Sequence, residues 1–148
     1  MLLQDRDGVC GAFSVANALV AMKVEVNVDE IKRVAGTTVR DGTSKRGIAR
    51  AIRHYGLKAT VYEGYSEESA WKWLLKWSSK CPVIVLIDNR QHYGTCIGRF
   101  GNQVILVDPS VPDDRYENNV RVLNKQEFLP EWRWGGRFYG IKVSRPVK

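Results

Sequence analysis

Histidine and cysteine are scarce in this chain, two and three residues respectively, and neither type is spaced as metal ligands are. No Cys-x-x-Cys pair occurs, so a structural or catalytic zinc is not expected. No glycine-rich loop with its lysine marks a phosphate cradle, and no cofactor is expected. The odd cysteine count, Cys10, Cys81 and Cys96, argues against a disulfide framework and for a reducing compartment, with the cytoplasm as the default location. No apolar run approaches the roughly 20 residues that a bilayer-spanning helix needs. The opening Met1-Leu2-Leu3-Gln4-Asp5 lacks the basic start and long apolar core of a signal peptide and leaves no room for a propeptide. If a transporter or secretion partner exists, it is expected on another chain. No internal repeat or low-complexity linker interrupts the sequence, and residues 1–148 are expected to form one domain, burying roughly 70% of the unfolded surface.

What is present is an ordinary globular composition, 44% hydrophobic and 26% charged, with a basic excess. Lys and Arg number 23 against 16 Asp and Glu, a formal charge of +7. Arg46, Arg50 and Arg53 recur at helical spacing, as do Lys72, Lys76 and Lys80. Such stripes read first as solvated helix faces, and second as a surface that attracts an acidic partner or nucleic acid. No nucleic-acid-binding motif accompanies the charge, so nucleic acid is not the expected partner.

Apolar periodicity divides the chain into a helical first part and a stranded second part. Val9 to Met22 reads as a helix, with Ala12, Val15, Ala16, Leu19 and Val20 in a stripe and much of the other face small and apolar, as in a buried central helix. Asn27 to Ala35 is a second helix, capped by Asn27 or Asp29 and stopped by Gly36. A third starts at Thr43 or Ser44 and runs to about Tyr55. Leu57 to Tyr62 alternates like a strand, and Ser66 to Ser79 is a fourth helix. Pro82 to Asp88, His92 to Phe100, Gln103 to Val107 and Arg137 to Val143 read as strands. A short helix from Asn124 through Phe128 is expected to close at Pro130. Helices followed by an antiparallel sheet make an α+β domain.

Four residues carry a chemical reading. Cys10 sits where the apolar helix begins, and a thiol there meets the positive end of the helix dipole and unpaired backbone N–H groups, which favour the thiolate. Gln4, shortly before it, is able to fold back and aim its amide at a developing oxyanion. His92 opens one strand and Asp108 ends the next, so a hairpin pairing the two strands sets an imidazole beside a carboxylate. Each has a plainer alternative. Cys10 is also a small hydrophobe, His92 a strand histidine, and Asp108-Pro109 a standard turn signal. Asp88 and Asn89 lie near His92 in sequence and are expected in a loop at the opposite end from Asp108. His54 reads as a helix-terminal residue rather than a base. Cys96, on the same strand parity as His92, reads as core filling, and Cys81 as structural. Asp41-Gly42-Thr43-Ser44 reads as a turn and helix cap, and secondarily as a wall of a substrate groove. Trp132, Trp134 and Tyr139 read as an aromatic packing cluster.

Gln4, Cys10-Gly11, His92-Tyr93 and Asp108-Pro109, in that order, resemble the bacteriocin-processing (double-glycine leader) peptidase family and its stand-alone relatives, within the papain-like superfamily. Asp41-Gly42-Thr43-Ser44, Gly47-Ile48 and Ala51 are similar to the middle of that family, so the resemblance runs from about Gln4 to Pro109. It implies a papain-like fold, with a helical lobe carrying the cysteine packed on an antiparallel sheet that carries the histidine and carboxylate. It implies a cysteine peptidase acting on a peptide or protein substrate, with Cys10 as nucleophile, His92 as general base and acid, Asp108 as orienting carboxylate and Gln4 as oxyanion donor. Cleavage after small residues such as paired glycines would follow. Transamidation, deamidation or acyl transfer at the same triad, and a non-catalytic leader-binding domain, are the alternatives.

Overall fold

The computed structural model describes residues 10–38, 40–87, 92–109 and 119–147. Five helices come with seven strands in this part of the chain. Helix α1 (Cys10–Ala21) buries every residue from Cys10 to Leu19, because all but Ser14 and Asn17 of these are small or apolar and the rest of the fold wraps around it. Helices α2 (Val28–Ala35) and α3 (Lys45–His54) begin where the sequence offers caps: Asn27 accepts the Glu30 N–H at 3.1 Å and Ser44 accepts the Gly47 N–H at 3.0 Å. Helix α4 (Glu67–Ser78) starts after Ser66. Helix α5 (Lys125–Trp132) starts with a capping box, in which Asn124 and Glu127 each bond the other's backbone N–H at 2.9 Å.

The strands are β1 (Lys58–Gly64), β2 (Val83–Ile87), β3 (His92–Phe100), β4 (Gln103–Val107), β5 (Val120–Leu123), β6 (Arg133–Trp134) and β7 (Arg137–Ser144). They form one antiparallel sheet in the order β1-β7-β2-β3-β4-β5, with β6 paired to β7. Period-two alternation splits its core in two. Ile84, Leu86, Tyr93, Ile141 and Val143 face α1, α2 and α3 in an aliphatic cluster rich in alanine. Val83, Val85, Ile87, Cys96, Leu106 and Phe138 face α4 and α5, where Trp71, Phe128 and Trp132 complete an aromatic cluster.

Two sequence readings need correction. β5 and β6 were not expected; the first is a short edge strand around Arg121, held by pairing to β4, and the second is the outer arm of a hairpin. That hairpin turns at Gly135 and Gly136, both at positive φ (57° and 76°), the backbone a two-residue turn requires. Helix α5 does not close at Pro130 but continues to Trp132. The proline removes one intrahelical hydrogen bond, and burial of Trp132, whose indole N–H donates to the Tyr139 carbonyl at 2.8 Å, holds the last turn. Asp88 and Asn89, expected in a loop at the opposite end from Asp108, lie outside the described residues.

Candidate active site

Cys10 is the first residue of α1 and is 8% exposed. Helix α1 is tied to the sheet directly below it: the Thr95 hydroxyl on β3 donates to the Ser14 carbonyl at 2.8 Å, fully buried. The same strand begins with His92, so one hydrogen bond links the element that carries the thiol to the element that carries the imidazole. Gly11 makes the approach close. A β-carbon there would lie 2.7 Å from the Thr43 Cβ and 3.4 Å from the Tyr93 Cδ2, so any larger residue would push the wall away from the thiol. Thr43 is fixed in turn by a 2.6 Å hydroxyl contact with Thr37. Ser44 thus caps α3, and Thr43 stands against Gly11, next in the chain to the thiol.

Register then joins β3 and β4. With Thr95 opposite Val107, His92 and Asp108 fall on the same face one diagonal apart, and the His92 Nε2 meets the Asp108 Oδ1 at 2.6 Å. A carboxylate only accepts hydrogen bonds, so Nε2 carries the proton toward Asp108 and Nδ1 is left for the Cys10 side chain, with which His92 also hydrogen-bonds. Burial by itself would pull the imidazole pKa down. The hydrogen bonds to Asp108 and Cys10 and the negative charge of both groups outweigh it and raise the value from 6.5 to about 10. The ring therefore favours the imidazolium form in this setting.

Three residues that the sequence reading did not single out hold this arrangement. Asn119, itself at positive φ (57°), donates from its side-chain amide to the Asp108 carbonyl at 2.8 Å and accepts the Asp108 N–H on its own carbonyl at 2.9 Å. Asparagine is among the few residues that tolerate that backbone. Arg121 on β5 stands 3.8 Å from the Asp108 Oδ2 and is clamped in a fork by Glu131 at 2.8 and 3.0 Å. Thr95 is the third. Only Asn119, beside Asn118 in a connecting segment, carries a local signal, that of a turn; a lone arginine or threonine in a strand carries none.

Of the four residues singled out in the sequence, Cys10, His92 and Asp108 are brought together, and Gln4 lies outside the described residues. His54 ends α3 and bonds Glu30 at 2.8 Å, on its own helix pair. Cys96 is fully buried in the aromatic-side core, where burial raises its pKa. Cys81 is half-buried ahead of β2, its thiol pushed up by burial against the pull of Lys142 and Lys80. None of Cys10, Cys81 and Cys96 is in a disulfide. No described helix is long and apolar enough to cross a membrane.

The sequence matches the peptidase C39 family over residues 1–135. No curated protein gives a significant match. Among solved structures, the chain is similar to the peptidase domain of Streptococcus ComA, a bi-functional ABC transporter involved in a quorum-sensing pathway, with 21% identity, a TM-score of 0.72 and coverage of 98% of this chain and 97% of that one. It is similar to a double-glycine-motif protease from an AMS/PCAT transporter in complex with the leader peptide, at 23% identity and a TM-score of 0.71, covering 97% and 91%. The peptidase domain of Streptococcus mutans ComA matches at 22% identity and a TM-score of 0.61, covering 97% and 98%. At these identities the structures bear on the fold, which is the papain-like arrangement of helices on an antiparallel sheet. The family match, over most of the chain and with Cys10, His92 and Asp108 drawn together inside it, identifies the chain as a member of the peptidase C39 family of bacteriocin-processing cysteine peptidases.

Proposed function

We propose that the chain cleaves a peptide at Cys10, with His92 as general base and acid, Asp108 as the orienting carboxylate and Gln4 as an oxyanion donor. One observation carries this reading: a single imidazole bonds the Asp108 carboxylate at 2.6 Å and the Cys10 side chain as well. In this scheme the Cys10 sulfur attacks the scissile carbonyl carbon, a C–S bond forms, and the carbonyl electron pair moves to oxygen. The Cys10 backbone N–H at the start of α1, with the Gln4 amide, stabilises that oxyanion. Collapse breaks the C–N bond while His92 gives its proton to the leaving amine. His92 then deprotonates a water, which attacks the thioester; the C–S bond breaks and the acid product leaves. Asp108 keeps the proton on Nε2 and stabilises the imidazolium throughout. Gln4 takes its part from the family resemblance alone. The family match and the leader-bound double-glycine protease support a peptide substrate carrying paired glycines.

The test is alkylation of Cys10 by iodoacetamide across pH, with the adduct located by mass spectrometry, alongside cleavage of a synthetic Gly-Gly peptide. Labelling in mild acid that slows in His92→Ala, with turnover falling about 10²-fold or more in that variant, is the expected result. Labelling that follows ordinary thiol behaviour and ignores His92 would sink the triad assignment. Conjugation of the product to an added amine, in place of the free acid, would reassign the reaction to acyl transfer.

A further inference from the structure

A second surface, separate from the Cys10 cleft, has a charge pattern that folding alone does not explain. Between α3 and β1 lies an open groove of about 550 Å³. Its floor is Ala49, Tyr139 and Val61, and Val61 stays 52% exposed on the sheet face that elsewhere carries the aliphatic core. Its rim is Lys45, Arg46, Arg50 and Arg53, all from one helix and all exposed.

Among the described residues these four cations have no counter-ion. Arg50 donates to the Val34 carbonyl at 2.6 Å, Arg53 to the Ala59 carbonyl at 3.3 Å, and the Lys45 ammonium stands 4.2 Å over the Tyr139 ring. Such contacts aim the side chains without neutralising them. Among the described residues no carboxylate lies within 4 Å of any of the four; Glu63 on β1 is engaged by Arg137 at 3.1 Å and Glu30 by His54 at 2.8 Å. Lys45 and Arg46 also occupy the first turn of α3, which holds no acid, so they add positive charge at the positive end of the helix dipole. β1 is an edge strand, and no further strand of the described sheet covers the groove. In the chain it adjoins the site: Lys45 follows Thr43 and Ser44, and Thr43 stands against Gly11.

We infer that this groove binds an acidic segment of the peptide substrate, its carboxylates meeting the α3 cations and its apolar side chains resting on Val61 and Tyr139. The inference rests on the peptidase reading and names a substrate feature that reading leaves open: negative charge at a distance from the cleaved bond. It also gives the basic stripe of α3 a use beyond solvation.

The test separates binding from turnover. Cys10→Ala protein is titrated, by fluorescence anisotropy, with synthetic peptides that carry a Gly-Gly pair and a Glu-rich apolar segment upstream or downstream of it, and with matched peptides in which every Glu is Gln. For one placement of the segment, the Glu peptide should bind about 10-fold tighter at low salt and lose that margin as salt rises. Arg46→Glu/Arg50→Gln should abolish the preference and bind a Lys-rich counterpart better than the Glu peptide does, a reversal that misfolding cannot produce. Lys72→Glu, on the far side of the sheet, should leave the preference intact. Equal binding of Glu and Gln peptides, or a preference that survives Arg46→Glu/Arg50→Gln, overturns the proposal. So does a single-stranded RNA oligonucleotide that displaces the Glu peptide and depends more strongly on the same arginines. Absence of cleavage in Cys10-intact protein with the charge preference retained would strike the peptidase reading and leave the acidic-segment site standing.

Discussion

The two faces of the sheet are built from different materials. On one, α1 to α3 pack through small aliphatic residues, Ala12, Ala16, Ala18, Ala49 and Ala51, which let helix backbones come close to the sheet. On the other, α4 and α5 pack through Trp71, Phe128, Trp132 and Phe138, with ring centroids 5.2 to 6.3 Å apart. Their surface charges differ in the same sense. On the aromatic side Arg133 meets Glu67, Lys125 and Lys72 meet Glu68, and Arg121 meets Glu131, whereas Lys45, Arg46, Arg50 and Arg53 of α3 meet no acid among the described residues. The difference separates labour. Large rings supply burial per residue where nothing needs to approach closely, and alanine and glycine supply proximity where the thiol, its wall and a groove must be within reach of a peptide.

Substitutions can break this division or sharpen it. The largest effect is expected at Trp132, 1% exposed and bonded to Tyr139. Trp132→Ala should cost about 3–5 kcal/mol of stability in chemical denaturation, while the folded fraction labels at Cys10 at the native rate. A change in the intrinsic labelling rate would mean that the two faces are not separate. Gly11→Ala comes next. Its β-carbon would meet Thr43 at 2.7 Å, so about 1–3 kcal/mol of overpacking is expected, this time with slower Cys10 labelling in the folded protein.

Thr95→Val removes one hydrogen bond between α1 and β3 and should cost about 1 kcal/mol. Its signature is a drop in kcat for peptide cleavage larger than the stability loss accounts for, since thiol and imidazole lose their shared anchor. The mildest is a pH effect. His92 is raised from 6.5 to about 10, so its contribution to stability is fully present below about pH 6.5 and is lost as pH rises through about 10. His92→Gln should flatten that alkaline decline in denaturation midpoints, and an unchanged decline would assign it to other groups.

Much of this was legible in the chain. The caps Asn27, Ser44, Ser66 and Asn124 start the helices where polar side chains are able to accept backbone N–H groups, a purely local matter. The apolar run Val83–Ile87 reads as a strand and proves buried on both faces. His92 and Asp108 were legible as a pair because each sits at a strand end, and a hairpin between neighbouring strands leaves few registers. The misses are equally specific. Pro130 was a stop signal that lost to the burial of Trp132. β5 is too short to announce itself, and its Arg121 acquires meaning only through Asp108 and Glu131.

Local residue chemistry set the helical first part, the stranded second part, and the order of thiol, imidazole and carboxylate along the chain. It did so because capping, periodicity and residue chemistry act over a few residues at a time. Which atoms meet is a tertiary matter: Nε2 rather than Nδ1 on Asp108, Thr95 on the Ser14 carbonyl, Asn119 on the Asp108 backbone, and four α3 cations around one groove. Those contacts join residues far apart in sequence or hang on the register of two strands, and only the closing of the sheet against its helices sets them.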